Sequence, residues 1–396
     1  MNHVGEIMKD PTELFRATAK IEDDPGRILV IEDQPEVRQA IAMLLATARY
    51  ETVAAQSPEE ALEQVRLGSF DLILLDLNYR RDTTSGAEGL QLMSLLRAQG
   101  IDVPIIAMTA WGSIELAVAA MHTGANDFLQ KPWDNSHLLR LVSQHLAQQR
   151  QQRSIRVRRK MELEDAIAVH RRLLPRELPT LPGFTLAASS RSFDHIGGDY
   201  YDVLSMGEKV AICIGDVIGK GLPAALMMSN LQAAVKVTAA PWVSPSELCQ
   251  RINELAFSNG ASDKFISFFY AVLNVRTQKL TYCNCGHNAP ILLRANGLVE
   301  RLEHGGTLIG IHKDELFQES TLALQPGDRL LLFTDGLSEA EDAEGRQYSE
   351  ERLVAEFSAN AANSAQETLN HILQSVDAYC NSRFSDDATA VTLCRN

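Results

Sequence analysis

The spacing of apolar runs changes character once along this chain, and that change limits the folds open to it. From Arg27 to Gln130, short apolar segments alternate with amphipathic ones. RILVIED, a short stretch near Thr52, DLILLDL, the run Pro104 to Met108, and DFLQ read as five strands. Helical patterns separate them: one from Pro35, one opened by Ser57-Pro58, one over GLQLMSLLRAQ and one from Gly112 to His122. Such alternation implies an α/β domain with a doubly wound five-stranded parallel sheet, whose ligand site lies at the carboxyl ends of the strands. After Gly183 strand-like runs follow one another directly: TLAASS, DYYDVL, VAICIGD, SFFYAVLNV, LTYCNCG, APILLR, RLLLFTD and TAVTLC. Helical stretches interrupt them only at 223–238, 245–257, 349–357 and 364–379. Many strands with few helices suggest an α+β domain, a pair of antiparallel sheets flanked by helices.

At 396 residues the chain is too long for one ordinary core, so two domains are expected. Between them, His137 to about Leu174 reads as one long helix, or two broken near the middle, with a near-heptad seam that is apolar only at its ends. The expected organisation is a mobile tail over 1–25, the α/β domain over 26–146, a helical linker over 147–182 that could form a coiled coil, and the α+β domain over 183–396. The linker carries a basic run from Arg150 to Lys160, closely followed by Glu162, Glu164 and Asp165. That mixture suits a solvated helix better than a nucleic-acid patch, and a net charge of -14 points the same way. No run of 18 apolar residues suggests a membrane span, and MNHVGEIMKDPTELF has no apolar signal region, so a cytoplasmic protein is expected. Six cysteines spread through such a chain read as reduced, buried thiols; Cys283 and Cys285 form CxC, without the second pair that a zinc site needs.

Acids mark two sites. In the first domain Glu32 and Asp33 end strand one, Asp76 ends strand three, Thr109 ends strand four and Lys131 follows strand five. A parallel sheet brings all of them to one edge. Three carboxylates there suit a Mg²⁺ ion. Asp76 can act as a nucleophile toward a phosphodonor, with Thr109 and Lys131 bonding the new phosphoryl oxygens. Residues 27 to about 146 resemble a response-regulator receiver domain of bacterial two-component systems, through ILVIEDQPEVRQAI, LILLDL, PIIAMTA and GANDFLQKPW. The resemblance implies a flavodoxin-like fold, phosphorylation at Asp76 by a sensor histidine kinase, Mg²⁺ at Glu32, Asp33 and Asp76, a switch hydroxyl at Thr109, a switch aromatic at Phe128, and Lys131 before a cis proline. The loop after Asp76, NYRRDTTSGAEG, departs from the family by being longer and lacking Met-Pro.

In the second domain Asp199 in GGDYYD, Asp216 in GDVIGKG, Asp335 in FTDG, and Asp386 with Asp387 in SDDAT lie in strand or turn contexts beside glycine. Carboxylates gathered from distant turns suit two hard divalent cations that clamp a phosphoryl group. GDVIGKG lacks the spacing of a nucleotide-binding P-loop. The order GGDYYD, GDVIGKG, FFYAVL, NCGHNAP, GGTLIGI, LLFTDGLSEA, SDDATAVTL over about 183–394 resembles the SpoIIE/RsbU-type branch of the metal-dependent (PPM) protein serine/threonine phosphatases. That resemblance implies two Mn²⁺ or Mg²⁺ ions. Asp216 would bridge them, the Val217 carbonyl would bind one, Asp199 would serve the second, and Asp335 and Asp386 the first. Asp387 falls beside the metal position, and Lys220 sits near the substrate or in solvent. His287 and Cys285 read as a structural turn rather than a nucleophile pair. The helix beginning at Leu222 is a candidate switch element.

Together these readings imply a response regulator whose output is protein phosphatase activity under the control of Asp76. The substrate class would be a phosphorylated STAS-type anti-anti-sigma protein, and the linker would support a homodimer. The rival readings are a non-enzymatic adaptor using a phosphatase-like fold, and a DNA-binding regulator acting through the basic run.

Overall fold

The computed structural model describes residues 26–79, 86–110, 114–193, 196–258 and 265–396. The tail over 1–25 lies outside them, as do Arg80 and Arg81 in the loop after Asp76 and Gly112 at the expected helix start. The chain divides into two compact units at Glu162/Leu163.

The first unit holds strands β1 (Arg27–Ile31), β2 (Glu51–Ala55), β3 (Leu72–Asp76), β4 (Ile105–Thr109) and β5 (Asp127–Gln130). They pair in the order β2-β1-β3-β4-β5, with every pair parallel. Helices α1 (Pro35–Thr47), α2 (Pro58–Leu67), α3 (Ala87–Ala98) and α4 (Ile114–Thr123) connect them. All five residues of β3 are buried, the continuous apolar texture of a strand covered on both faces. Period-two alternation then assigns the faces. Leu29, Ile31, Ile73, Leu75, Ile105 and Ala107 pack in one core cluster, and Ile28, Val30, Leu72, Leu74, Ile106 and Met108 in the other. Helix α2 starts where the sequence says it should: Ser57 Oγ accepts from Glu60 N at 3.3 Å, with Pro58 in the first turn.

Helix α5 (Asn135–Arg171) is one unbroken helix, so the alternative of two helices does not hold. Its first turns bury Leu138, Val142 and Leu146 against the parallel sheet. Beyond them Ile155 and Leu163 are exposed, while Arg158 pairs with Glu162 one turn on. The line between the two units falls inside this helix.

The second unit is a sandwich. One sheet runs β13 (Gly305–Gly306), β10 (Lys279–Cys285), β9 (Ile266–Asn274), β8 (Lys209–Val217), β7 (Tyr200–Met206), with β14 (Ser320–Ala323) also on β10. The other runs β12 (Val299–Arg301), β11 (Ile291–Leu293), β15 (Arg329–Phe333), β16 (Ala388–Arg395), β6 (Phe184–Arg191). All neighbours are antiparallel except β10 and β13. Ile212, Ile214, Phe269 and Leu273 of the first sheet meet Leu330, Leu332, Val391 and Leu393 of the second in a shared core. Helices α6 (Leu222–Thr238) and α7 (Pro245–Ser258) cover the outer face of the first sheet. Past the short α8 (Asp335–Ser338), helices α9 (Glu350–Ala359) and α10 (Ala365–Tyr379) cover that of the second. Ser364 and Glu367 form a reciprocal capping box at the start of α10.

Candidate functional site

At the carboxyl edge of the parallel sheet, carboxylate oxygens of Glu32, Asp33 and Asp76 lie within 4.8 Å of one another. Lys131 Nζ stands 2.6 Å from Glu32 Oε2 and 2.9 Å from Asp76 Oδ2. Burial, reinforced by the charge of Asp76, pushes Glu32 up to about 7 against the pull of Lys131. Asp76 is raised too, chiefly by burial. Thr109 Oγ1 donates to Asn78 Oδ1 at 2.6 Å, and Asn78 N donates to Asp76 Oδ1 at 3.3 Å. Asn78 therefore links acceptor and hydroxyl, a role the sequence did not signal. Phe128, in β5, is half-buried against the core, and the Lys131–Pro132 peptide is cis.

In the sandwich the register does the gathering. Asp216 is the penultimate residue of β8, and Asp199 directly precedes β7, whose Tyr200 pairs with Gly215. Asp335 opens α8 just after β15, and Asp386 and Asp387 directly precede β16, which pairs with β15. Both sheets thus deliver carboxylates to one end of the sandwich. Asp216 is pushed up to about 7 by burial and then by the charges of Asp335 and Asp386. Asp335 is raised by burial and by Asp386. Asp199 is raised well above the carboxylate range, first by burial and then by Asp216. Its Oδ2 accepts from Thr334 Oγ1 at 2.8 Å, while Oδ1 is buried with no hydrogen-bond partner among the described residues. A buried carboxylate oxygen left open beside further carboxylates fits a divalent cation, and oxygen-only donors fit Mg²⁺ or Mn²⁺.

The neighbours Asp386 and Asp387 have different surroundings. Asp386 Oδ2 meets Lys220 Nζ at 2.9 Å. The same ammonium donates to Ser385 O at 2.6 Å and lies 5.4 Å from the Phe193 ring centroid. Asp387 instead accepts from Phe193 N at 2.8 Å and from Gly198 N at 2.7 Å. Both its oxygens hold the loop ahead of Asp199. A Cβ on Gly197 would stand 2.3 Å from Asp387 Oδ2, so that loop position must be glycine. The Val217 carbonyl would lie 3.0 Å from a Cβ on Gly198, on the same side as the loop. His287 is buried in the turn after β10: its N–H donates to Asn284 Oδ1 at 2.8 Å and its Nδ1 meets Ser267 Oγ at 2.8 Å.

Two contacts tie the end of the linker to this site. His170 Nε2 meets Gly197 O at 2.9 Å, and Gln232 Nε2 of α6 donates to Leu173 O at 3.3 Å. His170 stood out in the sequence only as a member of the helical seam, because its partner lies in a turn 27 residues away.

Comparison with known proteins agrees with both domains. The family model for the response regulator receiver domain matches residues 28–143, and that for stage II sporulation protein E (SpoIIE) matches 206–396. The phosphoserine phosphatase RsbU of Bacillus subtilis is 30% identical over 246 residues, 61% of this chain and 72% of RsbU. The chain belongs to the SpoIIE/RsbU family of protein phosphatases. It carries in addition a receiver domain, 36% identical over 120 residues to the response regulator FleR of Pseudomonas aeruginosa, which spans 30% of this chain and 24% of FleR. The SiaA-PP2C domain of Pseudomonas aeruginosa shares the phosphatase fold, with a TM-score of 0.54 at 20% identity, over 61% of this chain and 99% of that domain. Among the described residues no helix is long and apolar enough to cross a membrane.

Proposed function

We propose that this SpoIIE/RsbU-family protein is a two-component response regulator whose output is metal-dependent hydrolysis of phosphoserine or phosphothreonine on a protein. The observation that carries the reading is Asp199 Oδ1, a buried carboxylate oxygen without a partner among the described residues, in the field of Asp216, itself in that of Asp335 and Asp386. Two Mn²⁺ or Mg²⁺ ions bound there would supply Lewis acidity and a nucleophilic water at neutral pH. Asp216 and the Val217 carbonyl, with Asp335 and Asp386 on one side and Asp199 on the other, would hold them. Thr334 orients Asp199 through Oδ2 and leaves Oδ1 open. Lys220 neutralises Asp386 and stands ready to meet the substrate phosphate. In this reading Asp387 is a brace for the loop rather than a ligand.

A sensor histidine kinase would phosphorylate Asp76 with Mg²⁺ held by Glu32, Asp33 and Asp76. Thr109 and Lys131 would exchange their present partners, Asn78 and the carboxylates, for the phosphoryl oxygens. Phe128 would follow the threonine. The linker helix, with Ile155 and Leu163 exposed, suits pairing in a homodimer. The likeness to RsbU supports a phosphorylated STAS-type anti-anti-sigma protein as substrate.

The test is Mn²⁺-dependent hydrolysis of an aryl phosphate and a phosphoserine peptide, with and without beryllofluoride to mimic phospho-Asp76. Activity is expected, and Asp216→Asn should lower it at least about a hundredfold, more than outer-shell changes around a metal typically cost. An Asp216→Asn protein that keeps full biological output would instead establish the adaptor reading.

A further inference from the structure

Cys283 and Cys285 stand two residues apart on β10 and so face the same side of its sheet. Cys249 reaches the same place from α7, which covers that face. Spacing does not reveal this third sulfur, since 33 residues lie between it and Cys283. All three side chains are fully buried, none is in a disulfide, and their Sγ atoms lie within 4.8 Å of one another. Cys283 Sγ and Cys285 Sγ are 3.8 Å apart. Two thiolates bound at 2.3 Å to one tetrahedral or trigonal ion stand about 3.8 to 4.0 Å apart.

The donor set narrows the ion. Among the described residues no histidine or carboxylate joins the three sulfurs. Sulfur-only donors select soft ions and reject Mg²⁺ and Mn²⁺, so this place cannot compete for the ions of the phosphatase site. Structural zinc sites close with four ligands, and a fourth is absent among the described residues. A three-coordinate d¹⁰ ion remains. The three sulfurs lie in an apolar core, where charge is costly, so an ion of the lowest charge is favoured over a divalent one.

We propose that Cys249, Cys283 and Cys285 form a binding site for a soft monovalent cation of the Cu(I) class, which clamps α7 to β10. Binding converts the Cys283 thiol and the free ion into a copper–thiolate bond and releases one proton, with no change of oxidation state. The site is independent of the phosphatase reading and stands or falls without it.

The full chain, reduced and oxygen-free, is titrated against Cu(I) held by the chromophoric chelator bicinchoninate. One ion per chain is expected to leave the chelator, with a new near-ultraviolet thiolate-to-copper absorption and a higher melting temperature. Cys249→Ser and Cys285→Ala should each weaken uptake at least tenfold, while Cys394→Ser, outside the cluster, should leave it unchanged. If either cluster variant fails to fold, the other decides, with circular dichroism of the ion-free protein as the control. No uptake by the reduced protein, or uptake equal in wild type and both cluster variants, overturns the proposal.

Discussion

Adjacent aspartates with opposite partners make the sharpest test at the level of single residues. Asp387 spends both oxygens on backbone amides of the loop ahead of Asp199. Removing it as Asp387→Ala strands two amides and should cost roughly 3 kcal/mol, read as a lower melting temperature in the presence of a chelator. Asp386→Ala should leave that melting temperature nearly unchanged and weaken divalent-ion binding in a calorimetric titration. The sequence showed SDDAT but could not divide the two roles, because nothing local says which carboxylate meets the loop at 193–198. His287 provides the pH dependence. Burial lowers it from 6.5 to about 4. The unfolded chain therefore takes up the proton first as pH falls. The stabilisation is complete above pH ~6.5 and is lost on acidification toward pH ~4, up to roughly 3 kcal/mol at about 1.4 kcal/mol per pKa unit. His287→Gln should flatten the pH dependence of denaturant midpoints across that window; an unchanged slope would assign the acid sensitivity to other groups.

Elements were legible where their pattern ran long enough to have a period. The buried strand LILLD, the consecutive strand runs of the sandwich and the Ser57-Pro58 and Ser364 helix starts all fall where the sequence set them. Strands β12, β13 and β14 went unread. They hold three, two and four residues, half-buried or exposed, too few for period-two alternation to show. Their register is imposed by β10 and β11, which tertiary contact supplies and sequence does not. The linker helix was legible as a helix, but not where its last turn lands. Since His170 bonds the Gly197 carbonyl, His170→Ala should weaken divalent binding and lower kcat several-fold, whereas His170→Gln, able to donate the same hydrogen bond, should restore both. Equal losses in the two variants would reduce His170 to a packing residue.

The whole molecule joins two acid centres through one helix that starts on the parallel sheet and ends beside Gly197. Asp76→Asn should retain basal Mn²⁺-dependent phosphatase activity and lose any response to beryllofluoride; a variant that still responds would place the signal elsewhere than Asp76. The acceptor set was readable because each member ends a strand of a parallel sheet, and that topology sends strand ends to a common edge whatever the loops do. How the phosphatase aspartates converge was less readable, since it rests on the pairing of β7 with β8 and β15 with β16. Both centres also carry a lysine on a carboxylate of the proposed metal set: Lys131 on Glu32 and Asp76, and Lys220 on Asp386. If the proposed ions bind there, their loss in a cell starved of magnesium and manganese would amount to cation exchange at Glu32, Asp76 and Asp386, with a tethered ammonium matching the charge of each carboxylate.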